Sequence, residues 1–594
     1  MSTPLEDYAI LGDTQTVALV SREGSIDWLC CPRFDSPACF AALLGTPEHS
    51  RWLLAPEGAR RSTRRYRGDT LVLETTHETD EGVVRVIDLM PVRGRAPDVV
   101  RVVVGVRGRV TVRCELAPRF DYGSQLPWVR RIDGAYQLVA RPDALVLRTP
   151  APVERSRSAL VGDVVVGAGD RVPFVLTWHP SYEPLPVAID AEHEIELTES
   201  WWREWVSRCT YDGPWRAEVV RSLITLKALS YQPSGGIVAA ATTSLPEAIG
   251  GVRNWDYRFC WLRDATYTLM ALLGAGFEAE AVAWRDWLLR SIAGDPGQAQ
   301  VMYGVGGERR LDEWEVPWLP GYEGSRPVRV GNAAAGQLQL DVYGEVLDCL
   351  HQAGKVVPAE DAAAWDMQRD LLHFLEGAWR QPDRGMWEVR GAPRHFTHSK
   401  VMAWVAFDRA VKAVRRQQRP GPLDRWTALR DEVHTEVCAR AWDDERQTFT
   451  QSYGTRALDA SLLHIPLVGF LPPDDARVGG TVQAIERELC DDGLVRRYRT
   501  EEADDGLPGA EGAFLACSFW LADVHAARGD VAPAREIFER LLGLCNDVGL
   551  LSEQYDPVAR RQLGNLPQAY SHVGLVRTAL ALSPGGPAAI TRQD

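Results

Sequence analysis

The chain has little lysine and no recognisable cysteine pattern. Arginine supplies nearly all of the 66 cationic residues, and 81 acidic residues outnumber them. The resulting net charge of −15 disfavours contact with phosphate backbones, so we expect no nucleic-acid partner. The 11 cysteines are odd in number, scattered and without a Cys-x-x-Cys spacing. This distribution argues against both a disulfide framework and a cysteine-ligated zinc site.

Targeting segments and several common catalytic motifs are also missing. The N-terminus lacks a basic stretch followed by an apolar one, and no apolar run approaches the length of a membrane span. Together with the cysteine usage, this predicts a cytoplasmic protein without membrane contact. No HExxH, GxSxG, Walker or GxGxxG motif stands in a supporting context. His395 and His398 have no carboxylate or cysteine set nearby in the sequence, so we expect neither a metal nor another cofactor.

The first third of the chain has the alternation typical of β-strands. At 594 residues the chain is too long for one ordinary core, so we expect a multidomain protein. Clusters of Gly, Pro and Asp separate the apolar runs, and no helical pattern intervenes before about residue 195. The predicted strands are near 24–28, 70–76, 83–92, 99–106, 110–116, 136–147, 160–166 and 171–178. Residues 1–195 are therefore predicted to form an antiparallel β-sandwich.

Helical periodicity replaces this pattern in the rest of the chain. A Trp-rich helical linker, 196–214, leads into a helical region, 215–585. Short turns alternate with six long loops, an arrangement that makes neighbouring helices antiparallel and favours a closed double ring. We expect an all-α (α/α)6 barrel with its long loops on one face. The twelve predicted helices are near 215–231, 264–276, 278–294, 335–354, 359–380, 398–416, 423–442, 458–467, 474–489, 511–528, 532–546 and 567–582.

The first long loop ends in an unusual segment, RNWDYRFCWLRDAT at 253–266. Flat aromatic faces interleaved with guanidinium and carboxylate groups suit a polar ring that carries hydroxyls on its edge, which is a sugar. A core cluster of aromatics with Asp264 as a helix cap is the alternative. Five of the six long loops carry aromatic, Arg and carboxylate residues together, which favours the binding site.

Two glutamates on these loops are candidates for hydrolysis of a glycosidic bond, which needs two carboxyl groups flanking the anomeric carbon. Glu388 directly follows Trp387, and an aromatic wall helps to keep a carboxyl protonated, so Glu388 is the predicted general acid. Glu553 is the predicted base, ionised and connected to solvent. Alternatively, Glu388 pairs with Arg390 on a surface and Glu553 is a solvated loop residue.

The chain resembles glycoside hydrolase family 15, which contains inverting glucoamylases and bacterial trehalases. Residues 8–13 and 24–36 are similar to the trehalase-like N-terminal domain of its bacterial members. The resemblance implies that Trp261, Arg263 and Asp264 bind the first sugar, that Trp387 and Glu388 belong to the general-acid segment, and that Glu553 is the general base. Arg497 and Tyr498 resemble a pair that contributes to the neighbouring sugar site.

Two departures from the family bear on the substrate. Val389 stands where fungal glucoamylases have a second Glu, and no starch-binding module follows the last predicted helix. Both favour a small, neutral, soluble α-glucoside, with trehalose ahead of maltooligosaccharides or isomaltose. Further substrate contacts are expected from the variable loops 295–332 and 496–511. Those candidates are Arg326, Glu323 and Glu511, of which the two glutamates could equally be a loop charge and a helix N-terminal carboxylate.

The sequence leaves two other functions and the oligomeric state open. A phosphorylase on the same barrel would use phosphate as its nucleophile and would not need the carboxylate of Glu553. A non-catalytic sugar-binding protein would need the aromatic and arginine residues but neither glutamate. A homo-oligomer is not excluded.

Overall fold

The computed structural model describes residues 2–356, 362–503 and 505–583. Its first region consists of β-structure through residue 180, and helices dominate from residue 191 onward. The strands of the first region, β1 to β15 in order, are Tyr8–Gly12, Val17–Ser21, Ser25–Cys30, Ala38–Phe40, Arg51–Pro56, Arg61–Tyr66, Leu73–Glu78, Gly82–Leu89, Asp98–Ala117, Trp128–Ile132, Ala135–Ala140, Asp143–Arg148, Glu154–Ser156, Ala159–Gly167 and Arg171–Pro180. This region is therefore rich in strands, as the alternation predicts.

All strand pairs of the first region are antiparallel and connect into one large sheet. The 20-residue strand β9 joins its parts. The first half of β9 pairs with β8 and β15, and its second half pairs with β5 and β14. Because the partners change along one strand, the sheet divides into two wings that share β9.

The sequence pattern misplaced several strand boundaries. The predicted strands 99–106 and 110–116 are both part of β9, which continues through Gly105 and Gly108. The predicted strand 136–147 is instead the hairpin β11–β12, which turns at Arg141 with a positive φ of 58°. Apolar alternation predicted β-structure correctly but failed at these two boundaries. The strand β9 continues through its glycines, and the hairpin β11–β12 turns at a residue that is not a glycine.

The second region contains fourteen helices within its described residues. Helices α1 to α14 are, in order, Ala191–Val206, Arg216–Ala228, Ala265–Gly274, Glu278–Ile292, Asp341–Val356, Ala362–Ala378, Thr397–Gln417, Leu423–Arg440, His464–Leu467, Ala476–Glu488, Thr500–Ala503, Leu515–Ala527, Val531–Leu542 and Ala569–Ala581. Twelve of them correspond to the twelve predicted helices, and α1 corresponds to the helical linker. The short α11 was not predicted.

Contacts among these helices form a closed series. Helix α3 packs against α5, α5 against α7, α7 against α9, α9 against α12, α12 against α14, and α14 returns to α3. Helices α4, α6, α8 and α13 each pack against the member of the series next to them in the chain. The helix predicted near 335–354 begins only at Asp341, because Asn332 caps a separate 3₁₀ turn, Ala333–Gly336.

Short antiparallel strands stiffen the loops between the helices. These strands are Ser230–Tyr231, Gly236–Ile237, Thr243–Pro246, Asn254–Asp256, Cys260–Trp261, Met302–Tyr303, Trp314–Glu315, Arg329–Val330, Trp442–Asp443, Thr448–Phe449, Cys490–Asp491, Leu494–Val495, Ala513–Phe514, Gln554–Asp556 and Arg561–Leu563. Their pairing gives long loops a fixed backbone on which side chains can be positioned.

The two regions share one hydrophobic core and several buried polar contacts. The indole N–H of Trp28 donates to the carbonyl of Ala241 at 2.8 Å. The guanidinium of Arg64 pairs with Asp547 at 2.7 Å. The strand region is therefore packed against the loops of the helical region. Among the described residues, no helix is both long enough and apolar enough to cross a membrane.

Candidate active site

A pocket of about 790 Å³, counting the space that is open to solvent, lies among the long loops of the helical region. Its walls come from the first, third, fifth and sixth long loops and from the helix starts that follow them. The lining residues are Ala239, Glu247, Arg253, Trp255, Tyr257, Trp261, Arg263, Asp264, Met386, Trp387, Glu388, Val389, Arg390, Arg497, Tyr498, Asp505, Leu507, Phe514, Gln568 and Tyr570. Four of the five loops that the sequence singled out therefore meet in one place.

The first long loop reaches the pocket from a buried anchor in the strand region. The guanidinium of Arg258 pairs with Asp256 at 2.6 Å and donates to Tyr122 Oη at 2.9 Å. Both Arg258 and Asp256 are fully buried, so this anchor lies away from water. It fixes the backbone between the pocket residues Tyr257 and Trp261, and the strand region thus supports the pocket from behind.

Asp264 stands at the start of helix α3, as the pattern predicts, but it does not act as a side-chain cap. Within the described residues its carboxylate makes no capping hydrogen bond, and it lines the pocket instead. Burial raises the pKa of Asp264 to about 7. Its position and its neighbour Arg263 favour the binding-site interpretation over the capping one.

Glu388 is half-buried in the pocket wall and is held by two donors. The indole N–H of Trp261 donates to Glu388 Oε1 at 2.7 Å, and Arg263 Nη2 donates to the same oxygen at 2.9 Å. The backbone of Glu388 has a positive φ of 58°, an uncommon conformation for a residue with a side chain. The surface pair with Arg390 that the sequence left open is not formed, since Arg390 pairs with Glu313.

Trp387 forms part of the wall beside Glu388. Its ring stacks on Trp520 and meets Phe514 edge to face, with centroids 5.9 Å and 5.4 Å away. Its indole N–H donates to Asp459 at 2.9 Å. The ring is thereby fixed in place, and the guanidinium of Arg497 lies over it at 5.5 Å.

Glu553 lies on the sixth loop and is almost fully buried, with 1% of its surface exposed. The hydroxyl of the pocket residue Tyr257 donates to Glu553 Oε1 at 2.8 Å. Gly564 packs against the carboxylate so closely that a Cβ atom there would lie 2.4 Å from Glu553 Oε2. Burial raises the pKa of Glu553 above the ordinary range of a glutamate, although the nearby Arg497 opposes this effect.

The environments of the two glutamates differ from the sequence prediction. Glu388 was expected against an apolar wall, yet it is paired with a guanidinium. Glu553 was expected to be ionised and connected to solvent, yet it is buried. Trp387, the neighbour of Glu388 in sequence, stacks on Trp520 instead. The charged group beside Glu388 is Arg263, which is distant in sequence. Local sequence could not reveal those partners.

Arg497 lines the pocket and lies at the centre of a buried group of charges. Its Nη2 donates to Glu247 Oε2 at 2.7 Å, and its Nε donates to Glu511 Oε1 at 3.1 Å. Glu511 does not line the pocket; its side chain lies behind Arg497 with 1% exposure. The suggested role of Glu511 as a direct acceptor for a second sugar is therefore not supported by its position.

The second long loop does not reach the pocket either. Arg326 is exposed and donates to the carbonyl of Pro320, so the structure does not bring this predicted binding residue to the site. Glu323 pairs with Arg561 at 2.7 Å. Trp318 donates to the carbonyl of Tyr122 in the strand region. These side chains have the composition of a binding loop but hold the loop against neighbouring segments.

His395 and His398 do not come together. His395 stacks on Tyr453, whereas His398 Nε2 lies 3.1 Å from His464 Nδ1. Within the described part of the chain, Glu345, His398 and His464 are the group whose donor atoms are close enough to share a metal ion, all lying within 4.8 Å of one another. His464 Nε2 also lies 3.2 Å from Tyr267 Oη, so a buried hydrogen-bond network accounts for this arrangement.

Sequence reasoning missed two pocket residues that contact the carboxylates and arginines. Tyr257 lies within the segment 253–266, but one aromatic residue among several gave no sign that it would reach Glu553. Glu247 follows the short strand Thr243–Pro246, and nothing in its local sequence distinguishes it. Its ion pair with Arg497 spans 250 positions in the chain.

Comparisons with known proteins agree with this architecture. The model of "Glycosyl hydrolases family 15" matches residues 213–580, and that of "Trehalase-like, N-terminal" matches residues 1–156. A trehalase of Mycobacterium tuberculosis is 40% identical over 613 residues, covering 97% of this chain and 89% of its own length. A trehalase of Thermoplasma volcanium is 33% identical, with 97% of this chain and 93% of its own length covered.

A solved structure is also similar in fold. A bacterial glucoamylase complexed with acarbose superposes with a TM-score of 0.75 at 12% identity, covering 98% of this chain and 94% of the other. The family model alone accounts for more than half of this chain, and it spans the loops that form the pocket. The protein belongs to glycosyl hydrolases family 15 and is a glycoside hydrolase.

Proposed function

We propose that the protein is a trehalase, which hydrolyses α,α-trehalose with inversion and releases β-glucose. The observation that carries this proposal is the pocket, in which Glu388 forms part of the wall and Tyr257 links the lining to Glu553. The names of the relatives, which match nearly the whole chain, support trehalose as the substrate. A neutral disaccharide suits a site whose arginines are already paired with carboxylates.

The proposed reaction is a single displacement. Glu388 donates its proton to the glycosidic oxygen as the bond from that oxygen to the anomeric carbon breaks. A water molecule attacks the anomeric carbon from the opposite side, and Glu553 accepts its proton. The products are β-glucose and the second glucose, and proton exchange with solvent restores both carboxyl groups. Inversion requires a carboxyl separation of about 6.5–9.5 Å, which we expect here.

We propose that Arg263 and Asp264 bind the first sugar. In the free protein Arg263 Nη2 donates to Glu388 Oε1 at 2.9 Å. A sugar hydroxyl that accepts the hydrogen bond from Arg263 would take the place of this carboxylate oxygen. Binding of the first sugar is thereby coupled to the position of Glu388.

We also propose the finer architecture and its boundaries. The closed series of helix contacts supports an (α/α)6 barrel over 215–585. The change of partners along β9 supports a β-sandwich over 1–195, with 196–214 as a helical linker. The pocket lies at the loop end of this barrel, which fits an exo-acting enzyme that takes one end of its substrate into a pocket.

A substrate panel tests the proposal. The purified protein is incubated with trehalose, maltose, isomaltose and maltotetraose, and released glucose is measured, with its anomeric form followed by NMR. We expect rapid release from trehalose, with equal amounts of α- and β-glucose at the earliest times, because the attacked glucose inverts and the leaving glucose keeps its α configuration. Release of α-glucose alone would contradict inversion. Hydrolysis of maltotetraose with trehalose untouched would contradict the trehalase proposal but not the roles proposed for the two glutamates.

A further inference from the structure

Glu247 occupies a position where three segments of the pocket meet. It follows the short strand Thr243–Pro246, and its backbone carbonyl accepts from the N–H of Gly512 at 3.0 Å. The preceding carbonyl, of Pro246, accepts from the N–H of Gly564, the residue that packs against Glu553. The side chain of Glu247 is 1% exposed and lines the pocket. The backbone thus holds a third glutamate beside the proposed base.

Only one oxygen of the Glu247 carboxylate has a hydrogen-bond partner in the described part of the protein. Glu247 Oε2 accepts from Arg497 Nη2 at 2.7 Å, whereas Oε1 is buried and has no hydrogen-bond partner in the described part of the chain. Buried polar atoms in proteins are normally paired, because an unpaired one loses its interaction with water and gains nothing in return. In a pocket wall, the partner for such an oxygen can be a ligand.

Holding Arg497 does not explain why Glu247 is there. Both oxygens of Glu511 already contact the guanidinium of Arg497, through its Nε and Nη2, and Glu511 lies outside the pocket. A second carboxylate on the same guanidinium adds desolvation and repulsion between acids. Burial raises the pKa of Glu247 to about 8, Arg497 opposes this effect, and the neighbouring Glu511 and Glu553 add to it. Glu511 alone could hold Arg497 in place. Burying a second carboxylate there costs stability, and pairing with Arg497 does not explain that cost.

The wall that contains Glu247 continues to an exposed segment beside Glu388. The N–H of Glu247 donates to the carbonyl of Arg253, and Arg253 pairs with Asp505 at 2.8 Å. Asp505 in turn accepts from the backbone N–H of Arg390, two residues beyond Glu388. Gly506, next along this wall, is exposed. The segment of Glu388 thus contacts this wall through Arg390 and contacts Arg263, beside the start of α3, through its carboxylate. A sugar that lies across Glu388 from Arg263 and Asp264 would face the wall that contains Glu247.

We propose that Glu247 determines specificity for the leaving sugar by accepting a hydrogen bond from one of its hydroxyl groups at Oε1. This inference rests on the proposed function, because it assumes a substrate with a second glucose. Val389 cannot supply such an acceptor although it lines the same pocket. Glu247 reaches the site from a different loop and provides one.

The test compares a disaccharide with a substrate that has no second sugar. Wild type and Glu247→Gln are assayed with trehalose and with α-glucosyl fluoride, whose leaving group is a fluoride ion. We expect kcat/KM for trehalose to fall roughly 10- to 100-fold. The Gln oxygen would stay on Arg497, so an N–H donor would replace the acceptor Oε1 and the hydrogen bond from the sugar would be lost. For α-glucosyl fluoride we expect a change of about threefold or less, because the missing contact is not used.

Glu511→Gln is the matched control, since it weakens the other carboxylate on Arg497 without touching the pocket. If a displaced Arg497 caused the effect, both variants would show the same ratio between the two substrates, and the proposal would be overturned. An equal loss on both substrates in Glu247→Gln would likewise overturn it. Thermal unfolding of each variant separates a loss of folded protein from a loss of binding. Failure of the wild type to cleave any α-glucoside would instead contradict the proposed function.

Discussion

The two catalytic glutamates that we propose are held in opposite ways. Glu388 is half-buried, has a left-handed backbone and accepts from a guanidinium and an indole. Glu553 is buried, accepts from the neutral phenol of Tyr257 and has other carboxylates nearby. Burial raises the pKa of Glu553, whereas Glu388 is held in place by two hydrogen-bond donors from the first long loop. A bound sugar can compete for the two donors of Glu388, but the buried surroundings of Glu553 stay as they are.

The largest effect is expected when the two carboxyl groups are compared directly. Glu388→Gln and Glu553→Gln should each lower kcat for trehalose by roughly 10²- to 10⁴-fold, because proton transfer to or from the reacting oxygen is lost. On α-glucosyl fluoride, Glu388→Gln should retain much of its activity, since fluoride leaves without a proton. Glu553→Gln should stay inactive on both substrates.

This pair of assays assigns the two roles separately. If Glu553→Gln kept activity on α-glucosyl fluoride while Glu388→Gln lost it, the acid and the base would be exchanged. Glu323→Gln is a suitable control, because Glu323 pairs with Arg561 outside the pocket. It should behave as wild type on both substrates.

 A smaller effect is expected when the Glu553 carboxylate is displaced by a substitution at Gly564, which leaves its charge unchanged. Gly564 has a φ of +72°, and a Cβ atom there would lie 2.4 Å from Glu553 Oε2. Gly564→Ala should therefore displace the Glu553 carboxylate and lower kcat for trehalose roughly 10²-fold, as misplacement of a reacting group does. The affinity for substrate should change less.

Gly454→Ala separates backbone strain from displacement of the base. Gly454 has a similar φ of +76°, but an added Cβ atom would meet nothing within 4 Å. Both variants should lose a similar amount of stability, measured by thermal unfolding, from the strained backbone. Equal kcat values in the two variants would show that the contact between Gly564 and Glu553 does not matter for the reaction.

Removing the hydrogen bond from Tyr257 to Glu553 should change the pH dependence of the reaction. Burial raises the pKa of Glu553, so a base at this position becomes protonated, and kcat/KM falls, at a higher pH than an ordinary glutamate would give. The Tyr257 hydroxyl stabilises the ionised form and lowers this pKa. Tyr257→Phe should therefore move the acidic limb of the kcat/KM profile to higher pH and lower its plateau roughly tenfold. A shift to lower pH would contradict the assignment of Glu553 as the base.

The sequence predicted those features that depend on local periodicity and on short motifs. Helix positions followed from the spacing of apolar residues, and Asp264, Glu388 and Glu553 followed from motifs at loop ends. The partners of these residues could not be predicted in this way. The contact between Tyr257 and Glu553 spans 296 positions, and that between Arg263 and Glu388 spans 125. Such contacts exist only once the loops are folded together, and they set the surroundings of each carboxyl group.

The smallest effect is expected from a substitution on the second long loop, which resembles the pocket loops in composition but does not line the pocket. Arg326 is exposed and donates to the carbonyl of Pro320. Arg326→Ala should remove one surface hydrogen bond and leave kcat/KM for trehalose within about twofold of wild type, as surface substitutions usually do. The measurement is a Michaelis–Menten titration of both proteins. A tenfold rise in KM would mean that this loop contacts the substrate and that the pocket has a fifth contributing wall.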